Sequence, residues 1–483
     1  MKISLVMGLV LLLPTLVFSE PNAKDSFSES QINEIEVLAQ SPSWLNLGHY
    51  HKSIFGKYYS IIQSNDFFLS KDGAQNPKSE LEETLRQMRD PQTRKVQCRY
   101  VARRDLLKRQ KLLFSEDLIK CPDWEDWIRK VNPESLTLVF VSANVESTNS
   151  IFGHLLLKVN GGGRAKETKS LLFTYKGLKE YPNLDKKNIW EYKLSLGRIE
   201  IERLFMHLRE VENANFKSNF FSNNDSYMFL KAFEIADPFL NLTNALRPWT
   251  IPSDALRKVM SSHELVIESP QVGFDRPDNS HDSALVSVGL GRIENNDSSF
   301  YLRLRPALQG WSELDWGLAR GSELEILNFE GEQKSSEGMK LKKMDLLKVR
   351  IFKPVDFFKR PVSWGFATGW EKSFYAEAMM GPSANFFDML TWSESIFFRL
   401  QQVQDERFGV GLQSEFSFKP LERLSLSARH RWISRTFIPT QEFLLELSVR
   451  LNRNQDLSFR DQQEKVGSNP INHSQFVFFR QYF

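Results

Sequence analysis

The spacing of apolar residues predicts a helical N-terminal region. Apolar side chains recur every three or four positions in Ile32–Leu38 and again in Glu80–Met88, where Leu81 and Leu85 are four residues apart. This spacing places them on one face of a helix, with charged residues on the other face. We therefore predict a helical domain over residues 25–125.

The pattern changes at Leu136, where continuous apolar runs replace the helical spacing. Short apolar runs bounded by turn residues are typical of buried strands. The predicted strands are Leu136–Val141, Leu155–Val159, Leu171–Tyr175 and Ile189–Leu194, and the predicted helices are Ile199–Val211 and Tyr227–Ile235. This mixture of strands and helices predicts an α+β domain over residues 130–262.

The C-terminal part of the chain alternates between apolar and polar residues. In one strand Leu412 and Phe416 point to one side, while Gln413 and Glu415 point to the other. About 10 to 12 such strands, separated by Gly, Pro and Asn turns, indicate an antiparallel sheet closed as a barrel or packed as a sandwich. We predict an antiparallel β-barrel-like domain over residues 280–483.

Alternation alone does not show which face of the barrel points inward. An inward apolar face gives a soluble barrel, whereas an outward apolar face gives an outer-membrane barrel with a polar lumen. Arg and Glu crowd the polar face, and the chain ends in the aromatic segment Gln475–Phe483, like the last strand of outer-membrane proteins. Both features favour the outer membrane.

The first residues resemble a secretion signal. Met1 and Lys2 precede the apolar run Ile3–Phe18, and polar residues follow from Glu20. A run of this length is shorter than the ~20 apolar residues of a spanning helix, so a signal peptide over residues 1–19 is favoured over an N-terminal membrane anchor. We expect secretion across the inner membrane into the periplasm or the outer membrane.

Composition excludes some classes of partner and limits the cysteine chemistry. With 63 Lys plus Arg against 60 Asp plus Glu, the net charge of +3 gives no electrostatic case for a nucleic-acid partner. The eight His are scattered, so we expect no metal site and no cofactor.

The two cysteines allow either a disulfide or a nucleophile. Because a secreted chain enters an oxidising compartment, we expect Cys98 and Cys121 to form a disulfide. The basic segment between them, with Arg103 and Arg104, is typical of a solvated helix face.

Two segments of the α+β domain carry candidate chemistry. His154 follows Gly153 at the start of an apolar strand, where a histidine is either catalytic or simply structural. A polar turn, Asn219–Tyr227, leads into the following helix, and Asn224 or Asp225 could also serve there as a helix N-cap.

Together these segments resemble the Lnb-type N-terminal periplasmic domain family. The matching segments inside the domain are Ser150–His154, Ile189–Tyr192, His207–Glu210, Phe220–Tyr227 and Trp249–Asp254, and those before it are Trp44–Tyr50, Asp66–Ser70 and the stretch from Cys98 to Cys121. The region from about residue 280 is similar to the C-terminal extension of these proteins. The resemblance therefore covers nearly the whole mature chain.

The resemblance implies a permuted papain-like domain between the helical region and the barrel, similar to lecithin retinol acyltransferase. Members of the family N-acylate bacterial lipoproteins. A cysteine thiolate would take an acyl chain from a lipid ester, and a histidine that precedes it in the sequence would help to form the thiolate. Carried over to this chain, the histidine is His154.

This sequence departs from the family at the nucleophile. The family turn reads Asn-Cys-Ser-Tyr, and Asp225 stands here in the place of the cysteine, followed by Ser226. A carboxylate is a poor acyl nucleophile, because its mixed anhydride lies uphill of the ester. One step along a helix turns the Ser226 side chain by roughly 100° away from the direction of residue 225. The loop expected before Trp190 is also shortened here, to Lys176–Pro182.

Three functional hypotheses follow. In the first, a secreted envelope protein with a degenerate Lnb-like domain binds a lipid, a lipoprotein or a peptidoglycan fragment without thiol catalysis. In the second, the protein is an acyltransferase or hydrolase in which His154 acts as a base on water or on Ser226, with Asp225 orienting it. In the third, the barrel is the working part, and the N-terminal domains are its periplasmic partner-binding module.

Overall fold

The computed structural model describes most of the chain after residue 26, in seventeen stretches. They are residues 27–53, 55–141, 153–161, 170–174, 177–180, 189–217, 224–243, 250–262, 276–293, 297–313, 322–335, 338–355, 360–387, 389–403, 406–421, 423–434 and 439–483. The predicted signal peptide lies outside these residues. The chain divides into two compact units, Met1–Cys121 and Pro122–Phe483.

The first unit is mainly helical, as the apolar spacing predicts. Its helices are α1 (Glu29–Ala39), α2 (Pro42–Leu47), α3 (Pro77–Arg89) and α4 (Val101–Arg109), and its strands β1 (Tyr50–Lys52) and β2 (Tyr58–Ser60) form an antiparallel pair. Ser28 begins α1 with a capping box, in which its side chain accepts from the backbone of Gln31 and the Gln31 side chain accepts from the backbone of Ser28.

A disulfide and a buried ion pair hold the helices of this unit. Cys98 and Cys121 are bonded to each other, which confirms the predicted bridge and accounts for both cysteines of the sequence. Arg103, in contrast, is not on a solvated face: only 1% of its surface is exposed, and it pairs with Glu80 at 2.6 Å. The basic run looked solvated because the acidic partner lies on α3, 23 positions earlier in the sequence.

The second unit begins with an α+β domain. Its helices are α5 (Pro122–Val131), α6 (Arg198–Val211), α7 (Asp225–Ala236) and α8 (Pro252–Ser262). Its strands are β3 (Pro133–Val141), β4 (His154–Gly161), β5 (Ser170–Thr174), β6 (Gly177–Glu180) and β7 (Ile189–Lys193). They form one antiparallel sheet in the order β6, β5, β4, β3, β7. Strand β6 falls inside the segment that was expected to be a shortened loop.

The core of this domain lies between the sheet and its helices. Side chains of β3 and β4, such as Leu138 and Leu157, pack in one cluster with Phe205 of α6 and Phe233 of α7. Helix α7 follows the predicted apolar spacing, and nearly all of its length is buried. The sheet and α7 thereby hold the two candidate segments of the sequence in one rigid core.

The C-terminal part is a closed antiparallel barrel. Its strands are β8 (Leu285–Ile293), β9 (Asp297–Arg305), β10 (Ala307–Gln309), β11 (Glu323–Lys334), β12 (Lys340–Ile351), β13 (Ser363–Glu371), β14 (Ser373–Gly381), β15 (Ser383–Phe386), β16 (Leu390–Val403), β17 (Glu406–Leu421), β18 (Leu424–Ser434), β19 (Thr440–Asn452), β20 (Gln455–Val466) and β21 (Asn472–Tyr482). Twelve of these described strands form the ring, which closes where β9 pairs with β11, while β10 and β15 are short additional strands. The predicted barrel is confirmed, and the sandwich alternative is wrong.

The barrel places its apolar residues outside and its polar residues in the lumen. Leu412 and Phe416 of β17 are exposed, whereas Gln413 and Glu415 of the same strand are buried. This arrangement repeats around the ring, with Arg and Glu side chains paired inside. An apolar outer surface around a charged lumen is the pattern of outer-membrane barrels and not of soluble ones.

Both ends of the barrel chain meet at one rim. Leu285 at the start of β8 pairs with Tyr482 near the end of β21 and with Arg305 at the end of β9. We call this end the entry rim, because the chain enters the barrel here from the α+β domain. Among the described residues, no helix is both long enough and apolar enough to cross a membrane.

The α+β domain is fastened to the barrel at the entry rim. Ile251, just before α8, packs against Leu324 of β11 and Val349 of β12. These two residues pair across the strands and point away from the lumen, because their neighbour Glu323 lines it. On the same side, Arg257 of α8 donates to Asp282 at 2.9 Å in the segment that leads into β8.

Candidate functional site

A glycine with a positive φ angle precedes His154 and fixes its position. Gly153 has a φ of +75°, a conformation that other residues rarely adopt. A Cβ atom at this position would lie 2.6 Å from the carbonyl oxygen of Val141 and 2.9 Å from the ring of Phe140. Glycine therefore lets the chain approach β3 closely, and His154 then begins β4 directly opposite Val141.

His154 is half-buried and lies within the electrostatic reach of Asp225. Burial lowers the pKa of His154, and the carboxylate of Asp225 partly opposes that decrease. The structure therefore brings together the histidine and the aspartate that the sequence singled out, although they are 71 positions apart (225 − 154). Helix α7 packs against β4, which accounts for their proximity.

Asp225 is the first residue of α7 and is exposed. The helix is capped by Asn224, whose Oδ1 accepts from the backbone N–H of Tyr227 at 3.2 Å. The Asn224 side chain also donates from Nδ2 to the carbonyl oxygen of Thr250 at 2.6 Å. Because Asn224 does the capping, the Asp225 carboxylate is available to face His154 and solvent.

Ser226 differs from Asp225 in its exposure to solvent. Only 2% of its surface is exposed, and it belongs to the buried part of α7, whereas Asp225 lies on the exposed side. The difference agrees with the rotation of roughly 100° between successive residues of a helix. A buried hydroxyl is less accessible than Asp225 to a ligand that enters from solvent.

The arrangement can carry out acid–base and electrostatic chemistry but offers no thiol. A neutral imidazole can accept a proton from water, and a neighbouring carboxylate stabilises the imidazolium that forms. Both cysteines of the sequence are in the disulfide of the first unit. Within the described ranges there is no group of three or more His, Cys, Asp or Glu side chains that could hold a metal ion.

Parts of the sequence motifs lie outside the described residues. These are Ser150–Phe152, Asn219–Asn223 and Trp249. Sequence reasoning also missed Thr250 and Ile251 as functional neighbours of the site. Both residues lie in the segment Trp249–Asp254, which the sequence singled out. A single apolar residue such as Ile251 after a polar one does not indicate that its side chain packs against a distant strand.

Three family profiles match consecutive parts of the chain. The Lnb N-terminal periplasmic domain matches residues 123–178 and 171–262. The domain of unknown function DUF7843 matches residues 36–110, and the domain of unknown function DUF7840 matches residues 275–480. A search of curated proteins found no match.

Several solved outer-membrane proteins are similar to the barrel, with low sequence identities and low TM-scores. The COG4313 outer membrane channel from Pseudomonas putida F1 is 10% identical, with 45% of this chain and 100% of that chain covered and a TM-score of 0.29. The Acinetobacter baumannii outer membrane protein Omp33 is 9% identical, with 42% and 100% covered and a TM-score of 0.25. The KdgM porin in complex with disordered oligogalacturonate is 10% identical, with 41% and 99% covered and a TM-score of 0.28.

The periplasmic family and the barrel faces agree on where the protein works. A periplasmic domain and a closed barrel with an apolar outer surface place the protein in the periplasm or the outer membrane. The resemblance read from the sequence is confirmed by the family match. Residues 123–262 match the Lnb N-terminal periplasmic domain, and we call this part of the chain, between the helical region and the closed β-barrel, the Lnb domain.

Proposed function

We propose that the protein is anchored in the outer membrane by its barrel and that its Lnb domain binds a lipid, a lipoprotein or a peptidoglycan fragment without thiol catalysis. One observation carries this proposal: Asp225, in the place of the family cysteine, begins α7, and α7 packs against the strand that His154 begins. In this proposal the chain comprises the signal peptide 1–19, the helical domain 25–125, a permuted papain-like domain 130–262 and the barrel 280–483.

The geometry explains why a cysteine would react at this position and why aspartate would not. A helix N-terminus and a nearby histidine both stabilise a thiolate. With aspartate at this position the acyl product would be a mixed anhydride, which lies uphill of the ester. The site therefore keeps the family's arrangement for an acyl-bearing ligand and lacks its covalent step.

A second candidate function is hydrolysis by activated water. The lowered pKa of His154 favours its neutral form, which is the form that can act as a general base. Asp225 would then stabilise the imidazolium, as the carboxylate does in other His–Asp pairs. Ser226 is the weaker nucleophile candidate, because its hydroxyl is buried.

In the third hypothesis the barrel is the working part, and the N-terminal domains bind a partner. This hypothesis requires that the barrel lumen can open to solutes.

Alkylation of Asp225→Cys in the full-length protein tests the proposed site. We expect iodoacetamide to modify this variant at pH 6 about tenfold faster than Glu29→Cys, which is also the first residue of an exposed helix. Adding His154→Gln should remove the difference, because the imidazole that stabilises the thiolate is lost. Equal alkylation rates for Asp225→Cys and Glu29→Cys would show that His154 and the start of α7 do not activate a thiol at position 225.

Mass spectrometry then separates binding from catalysis. With a p-nitrophenyl acyl ester, the proposal expects an acyl adduct on Asp225→Cys and neither an adduct nor ester turnover with the native chain. Turnover by the native chain that disappears in His154→Gln would support hydrolysis instead. Unchanged turnover in Ser226→Ala would assign that hydrolysis to water and exclude Ser226.

A further inference from the structure

The four residues that follow β10, Gly310–Glu313, lie in the barrel lumen, and we call them the seal. Ser312 and Glu313 are 6% and 1% exposed, which is unusual for a loop. The seal begins at the end of β10, next to Arg305, and therefore lies at the entry rim. Loops at barrel ends ordinarily remain in solvent, so a buried one requires specific partners inside.

The seal is bonded to one wall of the barrel through Glu313. The Glu313 carboxylate accepts from both terminal nitrogens of Arg305 on β9, at 2.5 and 2.8 Å, and both side chains are fully buried. His281, in the segment that joins the Lnb domain to β8, places its Nε2 3.5 Å from the same carboxylate. A two-pronged Arg–carboxylate pair of this kind fixes orientation as well as charge.

The seal is also bonded to the far wall. Ser312 donates to Glu446 of β19 at 2.7 Å, and Ser425 of β18 donates to the Ser312 carbonyl oxygen at 3.1 Å. Lys419 of β17 donates to the Glu313 carbonyl oxygen at 2.9 Å. In the ring these strands lie on the side opposite β9 and β11. The seal therefore crosses the lumen from one wall to the other.

The space on the lumen side of the seal is a charged cavity. A cavity of about 190 Å³ is lined by Gly310, Trp311 and Ser312 at this end and by acidic and basic side chains of the wall. The Arg429 guanidinium lies 4.3 Å from the centre of the Trp311 ring, where a cation–π contact is favourable. Arg350 of β12 reaches Glu415 of β17 at 2.6 Å, well separated in the ring, and narrows the passage further.

We propose that the seal closes the entry rim of the barrel, so that the protein passes ions or small solutes only when the seal is displaced. The contacts of Ser312 and Glu313 with opposite walls carry this proposal. It does not depend on any chemistry at His154, because none of these contacts involves the Lnb site. The barrel then serves as an anchor in the state seen here and as a conduit only in a second state.

Single-channel recording of the full-length protein in planar bilayers tests the closure. The native protein should be silent or open rarely in 1 M KCl. Ser312→Ala combined with Glu313→Gln should increase the open time at least tenfold, because both wall attachments are weakened while side-chain volume is nearly kept. Glu313→Gln alone, which preserves the shape of the side chain, provides a second variant if the double variant folds poorly.

A matched control removes a side-chain hydrogen bond elsewhere on the barrel. His473→Ala breaks the pair with Asp461, which is partly exposed and lies towards the opposite end of the barrel. This variant should remain as silent as the native protein. Heat-modifiable gel mobility confirms that each variant is a folded barrel. Continuous conductance by the native protein would overturn the proposal, and so would folded seal variants that stay silent.

Discussion

Removing the Glu80 carboxylate should lower the free energy of unfolding of the helical unit, and the size of the decrease measures how much the buried ion pair stabilises it. Both members of the pair, Glu80 and Arg103, are 1% exposed. Besides Arg103, the carboxylate accepts from the backbone N–H groups of Leu69 and Ser70, at 2.9 and 2.8 Å. In Glu80→Gln the amide oxygen can still accept a backbone hydrogen bond, but the guanidinium keeps its charge and loses its negative partner.

The size of the effect follows from this geometry. Breaking a buried pair by removing one partner costs about 3–5 kcal/mol. The rings of Tyr100 and Phe67, 4.3 and 4.5 Å from the Arg103 guanidinium, continue to stabilise the charge, which favours the lower end of that range. At roughly 1.4 kcal/mol per factor of ten, a loss of about 3 kcal/mol raises the population of the opened unit about a hundredfold.

The disulfide provides a local assay for that opening. Cys98 and Cys121 are the two cysteines of the whole sequence, and Cys121 is 1% exposed. Because Cys98 is partly exposed, capture is read at Cys121: phosphine reduction followed by maleimide labelling of Cys121 reports opening of this unit in the full-length chain. We expect capture to be about a hundredfold faster in Glu80→Gln than in the native protein.

A surface pair supplies the control for the same measurement. Glu36→Gln breaks the pair with Lys78, whose side chains are 54% and 41% exposed. Water screens a pair this exposed, so its loss should change capture less than about fivefold. The reasoning would be refuted if Glu80→Gln behaved like Glu36→Gln, since a buried charge without its partner would then cost nothing measurable.

Three further predictions concern the Lnb domain. Asp225→Asn should lower the pKa of His154 further, measured by NMR titration of the imidazole, because the carboxylate that opposes the effect of burial is gone; Asp237→Asn at the other end of α7 should leave it unchanged. In the native protein the pKa of His154 lies below its ordinary value of 6.5. The neutral imidazole therefore contributes to the stability of the folded state above pH 6.5, and this contribution is lost as the pH falls through the lowered pKa. Gly153→Ala should destabilise the domain by at least about 1–3 kcal/mol in thermal unfolding, because of its positive φ and the close strand, and native-like stability would contradict the strain argument. Ile251→Ala should cost about 2–5 kcal/mol and increase proteolytic release of the domain from the barrel, and unchanged proteolysis would show that this contact does not hold the domain.

The sequence predicts those parts of the fold that depend on local periodicity. Helices α3, α6 and α7 and strands β3 and β4 lie where the apolar spacing placed them. The alternation predicts the barrel strands equally well, but it is symmetric between the two faces. Only the burial of Glu415 against the exposure of Leu412 shows that the polar face is the lumen.

Features that depend on contacts between distant segments could not be predicted. Arg103 looked like part of a solvated run, because nothing near it in the sequence indicates Glu80. No local pattern around Ser312 and Glu313 indicates that they cross the lumen. In each case a polar residue is buried by a partner many positions away, and composition shows the residue type without showing the pairing.

The position of Asp225 depends on the barrel through two consecutive residues. Thr250 accepts the hydrogen bond from Asn224, the residue that caps α7 and precedes Asp225. The next residue, Ile251, packs on the outer wall of the barrel at the entry rim. A displacement of this wall would therefore move the cap of the helix that presents Asp225 to His154. For this reason the isolated Lnb domain is expected to hold the site less precisely than the full-length protein, in which the barrel fixes Ile251.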